Sequence, residues 1–395
     1  MFSRRELLKA APMGVLAPGL MGLNASAASG DPSWGRVLIM IELKGGNDGL
    51  NTVVPYADPL YQEFRPTIGL KKEQILPLNE KLGLHPAMED VYKFFRKDQC
   101  AVVLGTGYEK PNRSHFRSID IWHTGSNSDE QMGEGWLAQM FAKHRPPEDF
   151  MADGVVIGRG DAGPLRAKNP KVRSIVMSDP NEFVEKGQDA RMAMKGSPKG
   201  ALAHILGVEN DLASAVVMLK DKLKEAKEPA TPFPNTGIGN QLKTVAKMVA
   251  AKVPFAAIKV SQGGYDTHSG QVNRHQQLLG QLNGAIAAFQ DSMNDLGKWD
   301  DVLIMTYSEF GRRVKENGGA GTDHGTAAPQ FFLGGKVKGG IYGAQPELAS
   351  LERGDLQFTT DYRCMYETVV KDWWNLGSHF SGVNADIKSL GCIKS

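Results

Sequence analysis

Short apolar runs recur along this chain, and each gives way to glycine and polar residues before a stretch with helical periodicity. The runs are Val37–Leu43, Cys100–Leu104, Val155–Gly158, Phe255–Val260, Val302–Met305 and Phe331–Leu333. Their length and β-branched content suit strands buried on both faces. Between them, Pro86–Lys97, Arg113–Trp122, Glu134–Lys143, Ala201–Lys227, Asn240–Ala251 and Gly270–Leu296 read as helices. The last is the clearest, with Leu278, Leu279, Leu282, Ile286, Phe289 and Met293 on one helical stripe. A final helix, Asp361–Leu376, carries aromatic residues that read as core. Alternation of this kind predicts an α/β domain with a mostly parallel sheet and helices on both of its faces.

Residues 1–27 stand apart from that pattern. Ser3-Arg4-Arg5-Glu6-Leu7-Leu8-Lys9 is a twin-arginine pattern, followed by a weakly apolar stretch and the small-residue site Ala25-Ser26-Ala27. Pro12 and Pro18 break the apolar stretch well below membrane-spanning length. A removed export signal is expected, with the twin-arginine export machinery as partner and a periplasmic or secreted product. Residues 28–395 are expected to form a single domain, with no stable membrane insertion.

Charge narrows the partners. The leader carries Arg4, Arg5 and Lys9 against Glu6, which accounts for the formal net charge of +2. The remainder is near neutral, so nucleic acid is not an expected partner. Cys100, Cys364 and Cys392 are too few and too scattered for a disulfide scaffold or a thiolate zinc site, although Cys364 and Cys392 are free to pair in an oxidising compartment.

In open α/β sheets, ligands bind beyond the carboxyl ends of the strands. The first strand ends in Lys44-Gly-Gly-Asn-Asp-Gly, where glycines admit a ligand to the backbone and Asp48 is placed to hold a cation. The second leads to Asn112-Arg-Ser-His-Phe, with Ser114 at the start of a helix whose dipole favours an anion. After Phe255–Val260 comes Gly264-Tyr-Asp-Thr-His, whose Asp266 and His268 form a mixed carboxylate and imidazole pair suited to Zn, Mn or Fe. The run Val302–Met305 leads to Ser308-Glu-Phe-Gly-Arg and then to Asp323-His-Gly. In a parallel sheet all these groups emerge on one edge.

These five motifs, in this order, resemble those of the bacterial family called domain of unknown function 1501. The resemblance covers nearly the whole chain after the leader. It implies an alkaline phosphatase-like fold, from the superfamily of phosphatases and sulfatases that use a metal-bound hydroxyl nucleophile on phosphate or sulfate esters. Carried over residue by residue, it implies Ser114 as nucleophile with His115 beside it in the catalytic group. Asp48, Asp266, His268, Glu309, Asp323 and His324 become metal ligands, with Asp323 or His115 replacing a missing one. Lys44, Asn47 and Arg113 are expected to neutralise charge on the transferred group. The implied cofactor is one or two divalent ions, Zn before Mn or Fe. Two departures are visible: Phe310 stands where a histidine ligand is common, and His268 follows Asp266 at a short spacing.

The expected function is therefore a secreted, metal-dependent hydrolase of small-molecule or glycan phosphate or sulfate esters. The alternative is a non-catalytic periplasmic or envelope-associated binding protein that retains the fold. A metal-free serine esterase is a poorer fit, because the Gly-x-Ser-x-Gly elbow is absent.

Overall fold

The computed structural model describes residues 31–158, 160–180, 182–185, 214–224, 228–380 and 386–394. The leader expected over 1–27 lies outside them, as does most of the helix expected over Ala201–Lys227, of which 214–224 are helical.

The fold is built outward from strand β1 (Val37–Lys44), whose sequence VLIMIELK is apolar toward both faces. Alternate side chains leave a strand in opposite directions, so one strand feeds two cores. Ile39, Ile41 and Leu43 pack into a layer that contains helices α1 (Glu89–Arg96), α4 (Gly237–Ala250) and α5 (Gln271–Asp295). Leu38 and Met40 pack into the opposite layer, with α2 (His115–Thr124), α3 (Trp136–Lys143) and α6 (Arg363–Thr368). Each fully buried Leu, Ile or Phe in these layers contributes about 1.5–3 kcal/mol. The aromatic residues of the final helix are core, and Trp136 stacks on Tyr366 at 4.3 Å.

Among the described residues the main sheet has nine strands. Besides β1 they are β2 (Cys100–Gly107), β3 (Ala152–Ile157), β4 (Ser174–Met177), β5 (Phe255–Gly263), β6 (Val302–Tyr307), β7 (Ala328–Leu333), β8 (Gly340–Tyr342) and β9 (Thr360–Asp361). The order is β8-β2-β7-β6-β1-β5-β3-β4, and β9, off this path, pairs with the last residues of β2. All pairings are parallel except those of β7, which runs antiparallel to both β2 and β6. The expected mostly parallel α/β sheet with helices on both faces is what forms. The reversed strand has a consequence for the site. His324 precedes β7, and the reversal brings the start of β7 to the edge where β1, β2, β5 and β6 end.

The strands that escaped the sequence reading, β4, β8 and β9, are two to four residues long and pair at or near the sheet margins. Cys100, Cys364 and Cys392 are all buried and unbonded. Among the described residues no helix is long and apolar enough to cross a membrane.

Candidate metal centre

Three imidazoles and one carboxylate converge where β2, β5, β6 and β7 meet. His115 opens α2, Asp266 and His268 lie in the loop after β5, and His324 lies just before β7. His268 Nε2 and His324 Nε2 stand 3.1 Å apart. Asp266 Oδ1 is 3.1 Å from the first and 3.2 Å from the second. His115 Nε2 approaches the other oxygen, Asp266 Oδ2, at 3.5 Å. The ligand atoms of His115, Asp266 and His324 all lie within 4.8 Å of one another.

What lies behind each ring matters as much. His115 Nδ1 is 2.8 Å from Glu309 Oε1, His268 Nδ1 is 3.1 Å from Asp323 Oδ1, and His324 Nδ1 is 2.9 Å from the Arg113 carbonyl. A carbonyl only accepts, so His324 carries its proton on Nδ1 and, when neutral, turns a lone pair at Nε2 toward the cluster. Carboxylates favour the same tautomer in the other two rings. Three Nε2 atoms thus face one carboxylate, the orientation that metal-binding histidines take from their outer partners. Ligands bound to zinc at 2.0–2.1 Å in a tetrahedron are about 3.3 Å apart, close to the separations seen here. Imidazole and carboxylate together suit a borderline divalent ion such as Zn.

Arg312 holds this arrangement from beneath. Its side chain is fully buried and donates to the carbonyls of Gly46 at 2.7 Å, Thr322 at 2.9 Å and Tyr265 at 3.0 Å, to the Gly45 carbonyl, and to Asp266 Oδ1 at 2.6 Å. One guanidinium therefore ties together the loops after β1 and β5 and the approach to β7. Burial alone would raise the Asp266 carboxyl, but the bond and charge of Arg312 outweigh it and bring it down to about 2. The carboxylate is ionised across the physiological range. Gly45 lets these loops approach: its φ is +115°, and a Cβ there would collide with the Asp266 backbone nitrogen.

Glu309 and Asp323 stand behind the rings. Each places one oxygen against an imidazole Nδ1, Glu309 Oε1 also accepting from the Gly45 amide at 2.8 Å, so both are positioned to orient imidazoles. The hydrogen bond that His115 donates to Glu309 raises the pKa of His115, against the effect of burial. The Asn317 amide and the His268 ring lower that of Asp323. Replacing Glu309 with alanine should weaken metal binding by about 10–100-fold while the helical circular dichroism is kept, as measured by metal titration.

Asp48 and Asn47 also differ from expectation. Asp48 is fully buried and paired with Arg65 at 2.6 Å, and it accepts from the Gln271 amide, so its charge is used within the core. Asn47 is buried and bonded to Thr52 at 3.0 Å and to His275 Nε2 at 2.9 Å. Neither is placed to meet a ligand at the imidazole cluster. Sequence gave no sign of Arg65, which lies after the short helix Pro59–Phe64 in a stretch without any motif.

Lys44 is half-exposed and lines a recess that also touches His115 and Glu309. Arg113 turns its guanidinium to Asp355, 3.0 Å away, while its carbonyl holds His324. Ser114 is exposed at the N-terminal end of α2, its side chain makes no capping bond, and it lines a surface recess with Arg117, Arg166 and Lys168. It stands between the Arg113 carbonyl and His115, both part of the cluster's support. Phe310 fills its place as packing, its ring 4.9 Å from that of His115 and 4.7 Å from that of His324.

No curated protein matches the sequence. Solved structures with a loosely similar fold include the C-terminal periplasmic domain of EcEptC from Escherichia coli in complex with Zn, at 9% identity, 78% of this chain, 74% of that chain and a TM-score of 0.39. The lipoteichoic acid synthase LtaP from Listeria monocytogenes shows 11% identity over 83% of this chain and 75% of that chain, with a TM-score of 0.36. A protein in the alkaline phosphatase superfamily from Vibrio parahaemolyticus shows 10% identity over 81% and 64%, with a TM-score of 0.34. Likeness this loose says nothing about chemistry. The family model described as "Protein of unknown function (DUF1501)" matches residues 36–377, a span that holds every strand end and every ring of the cluster, and the chain belongs to that family.

Proposed function

We propose that this protein is a metal-dependent hydrolase of phosphate or sulfate esters, exported through the twin-arginine route. The observation that carries the reading is the convergence of His115, His268 and His324 Nε2 on the Asp266 carboxylate, each ring held from behind by an acceptor. His115, Asp266 and His324, with His268 beside them, would hold a divalent ion, Zn before Mn or Fe, which when bound supplies Lewis acidity to an ester oxygen.

The chain's own residues do the rest. Asp266 stays ionised under Arg312, and the imidazoles are locked in one tautomer, so little reorganisation accompanies binding of a charged substrate. Ser114 is the proposed nucleophile. Its Oγ forms the new bond to phosphorus or sulfur as the bond to the alcohol breaks, its proton passing to solvent or a nearby base and the alcohol leaving protonated. Water then cleaves the seryl ester and restores the hydroxyl. Its recess also holds Arg117 and Arg166, which share Asp120 at 2.9 and 2.8 Å, and Lys168, so the lining keeps a net positive charge that favours an anionic group. Ser114→Ala should reduce turnover of an aryl phosphate or sulfate by more than about 1,000-fold with metal content unchanged. Unchanged turnover would remove Ser114 from the reaction.

One observation favours the non-catalytic reading. Ser114 lines a different recess from the one that His115 and Glu309 border. Stoichiometric metal without hydrolysis of any phosphate or sulfate ester would decide for a binding protein.

Metal uptake should depend on pH in a defined direction. A histidine binds a metal only when neutral, with an ordinary pKa of about 6.5. Glu309 raises that of His115, so proton competition begins at a higher pH than for a free imidazole. Affinity should be full above this range and fall as the pH drops through it. A titration with Zn at several pH values checks this, and a flat profile would contradict it.

A further inference from the structure

A cavity of about 410 Å³ opens beside the metal centre, sharing Glu309 and Phe310 with it. Its walls are the segment Tyr108–Arg113 and the hairpin formed by Leu351–Glu352 and Asp355–Leu356. Arg113 joins the two places, holding His324 with its carbonyl and Asp355 with its guanidinium. Whatever occupies the cavity therefore sits next to a group reacting at the cluster. Its size is within the range of small-molecule sites.

The lining selects among ligand chemistries. The carboxylates of Glu109, Glu309, Glu352 and Asp355 are nearly balanced by Lys110, Arg113 and Arg353, so neither an anion nor a cation is favoured over the whole cavity. Polar groups of both kinds remain. The amides of Asn112 and Gln357, on side chains that are not buried, line the cavity, and each carries both a donor and an acceptor. Aromatic surface is supplied by Phe358, which is 38% exposed. A neutral ring carrying several hydroxyls answers all of these features, because each hydroxyl both donates and accepts and the C–H face of the ring packs on an aromatic side chain.

We propose that this cavity is a carbohydrate subsite which seats the alcohol portion of the ester, so that the substrates are phosphate or sulfate esters of sugars. The inference rests on the hydrolase reading for its second half, while the subsite itself stands on the cavity.

The test has a binding arm and a turnover arm. In the first, the metal-loaded protein is applied to an array of neutral, phosphorylated and sulfated mono- and oligosaccharides, alongside Phe358→Ala. Phe358 is partly exposed, so its variant keeps the fold, which its melting temperature checks. At least one sugar class should be retained by the wild type and weakened by tenfold or more in Phe358→Ala, with metal content unchanged. No retained glycan, or retention indifferent to Phe358→Ala, overturns the subsite. In the second arm, kcat/KM on the retained sugar's ester is compared with that on an aryl ester of the same acid. A preference for the sugar ester that Phe358→Ala abolishes supports the full inference. Glycan binding without ester turnover would sink the hydrolase reading and leave the subsite standing, whereas aryl ester turnover without glycan binding would do the reverse.

Discussion

His324→Ala should yield a folded protein that retains almost no metal and hydrolyses no ester. His324 has the central place in the cluster: its Nε2 is within 3.2 Å of both His268 Nε2 and Asp266 Oδ1, and its ring packs against those of His115 and Phe310. Loss of an outer partner of a metal ligand costs about 10–100-fold in affinity, and loss of the ligand itself should exceed this. The side chain is partly exposed, so removal leaves little cavity and the melting temperature without added metal should change little. Metal content of the purified variant is the direct readout, with turnover on aryl phosphate and sulfate esters beside it. Full metal occupancy in this variant would contradict the proposed ligand set. Metal lost with turnover intact would separate the centre from the reaction.

The second large effect concerns stability. Arg65→Met should destabilise the fold by about 3–5 kcal/mol, because it leaves a buried carboxylate without its partner. Arg65 and Asp48 have side chains with no solvent exposure and meet at 2.6 Å. The same guanidinium donates to Asn51 Oδ1 at 2.7 Å and to the carbonyls of Val314 at 2.9 Å and Arg313 at 3.0 Å. It therefore stitches the loop after β1 to the segment that follows Arg312. Denaturant unfolding measures the loss. If Asp48 were a metal ligand, the variant with Asp48→Asn would lose metal first and stability second; as a core carboxylate it should lose stability with metal largely kept.

The pairing of these two residues illustrates how far the sequence could be followed. Asp48 sits in a glycine-rich turn at the end of a strand, which is also where ligand-binding aspartates sit, and its partner comes from a stretch whose residues form no motif. Local pattern therefore pointed to the loop, while packing placed the carboxylate against Arg65. Glu309 and Asp323 repeat the lesson. Both lie at the expected edge, yet each uses its oxygens to hold a ring. His115, expected either in the catalytic group or as a replacement ligand, has its ring turned toward Asp266 by α2.

The sequence by itself determined the elements and the edge. Runs such as Val37–Leu43 must be buried strands, Gly270–Leu296 must be a helix with one apolar stripe, and the polar residues must gather at the strand ends, because these follow from periodicity over a few residues. Only the tertiary structure decided which groups converge. The contacts that build the centre join residues up to 267 positions apart, as between Arg312 and Gly45, and no local pattern encodes them. The reversal of β7, the reach of Arg312 through three loops and the burial of Asp48 against Arg65 depend on how whole layers pack. Whether a carboxylate meets the Nε2 atoms, stands behind an imidazole or forms half of a buried ion pair depends on which layers surround it, and packing sets that.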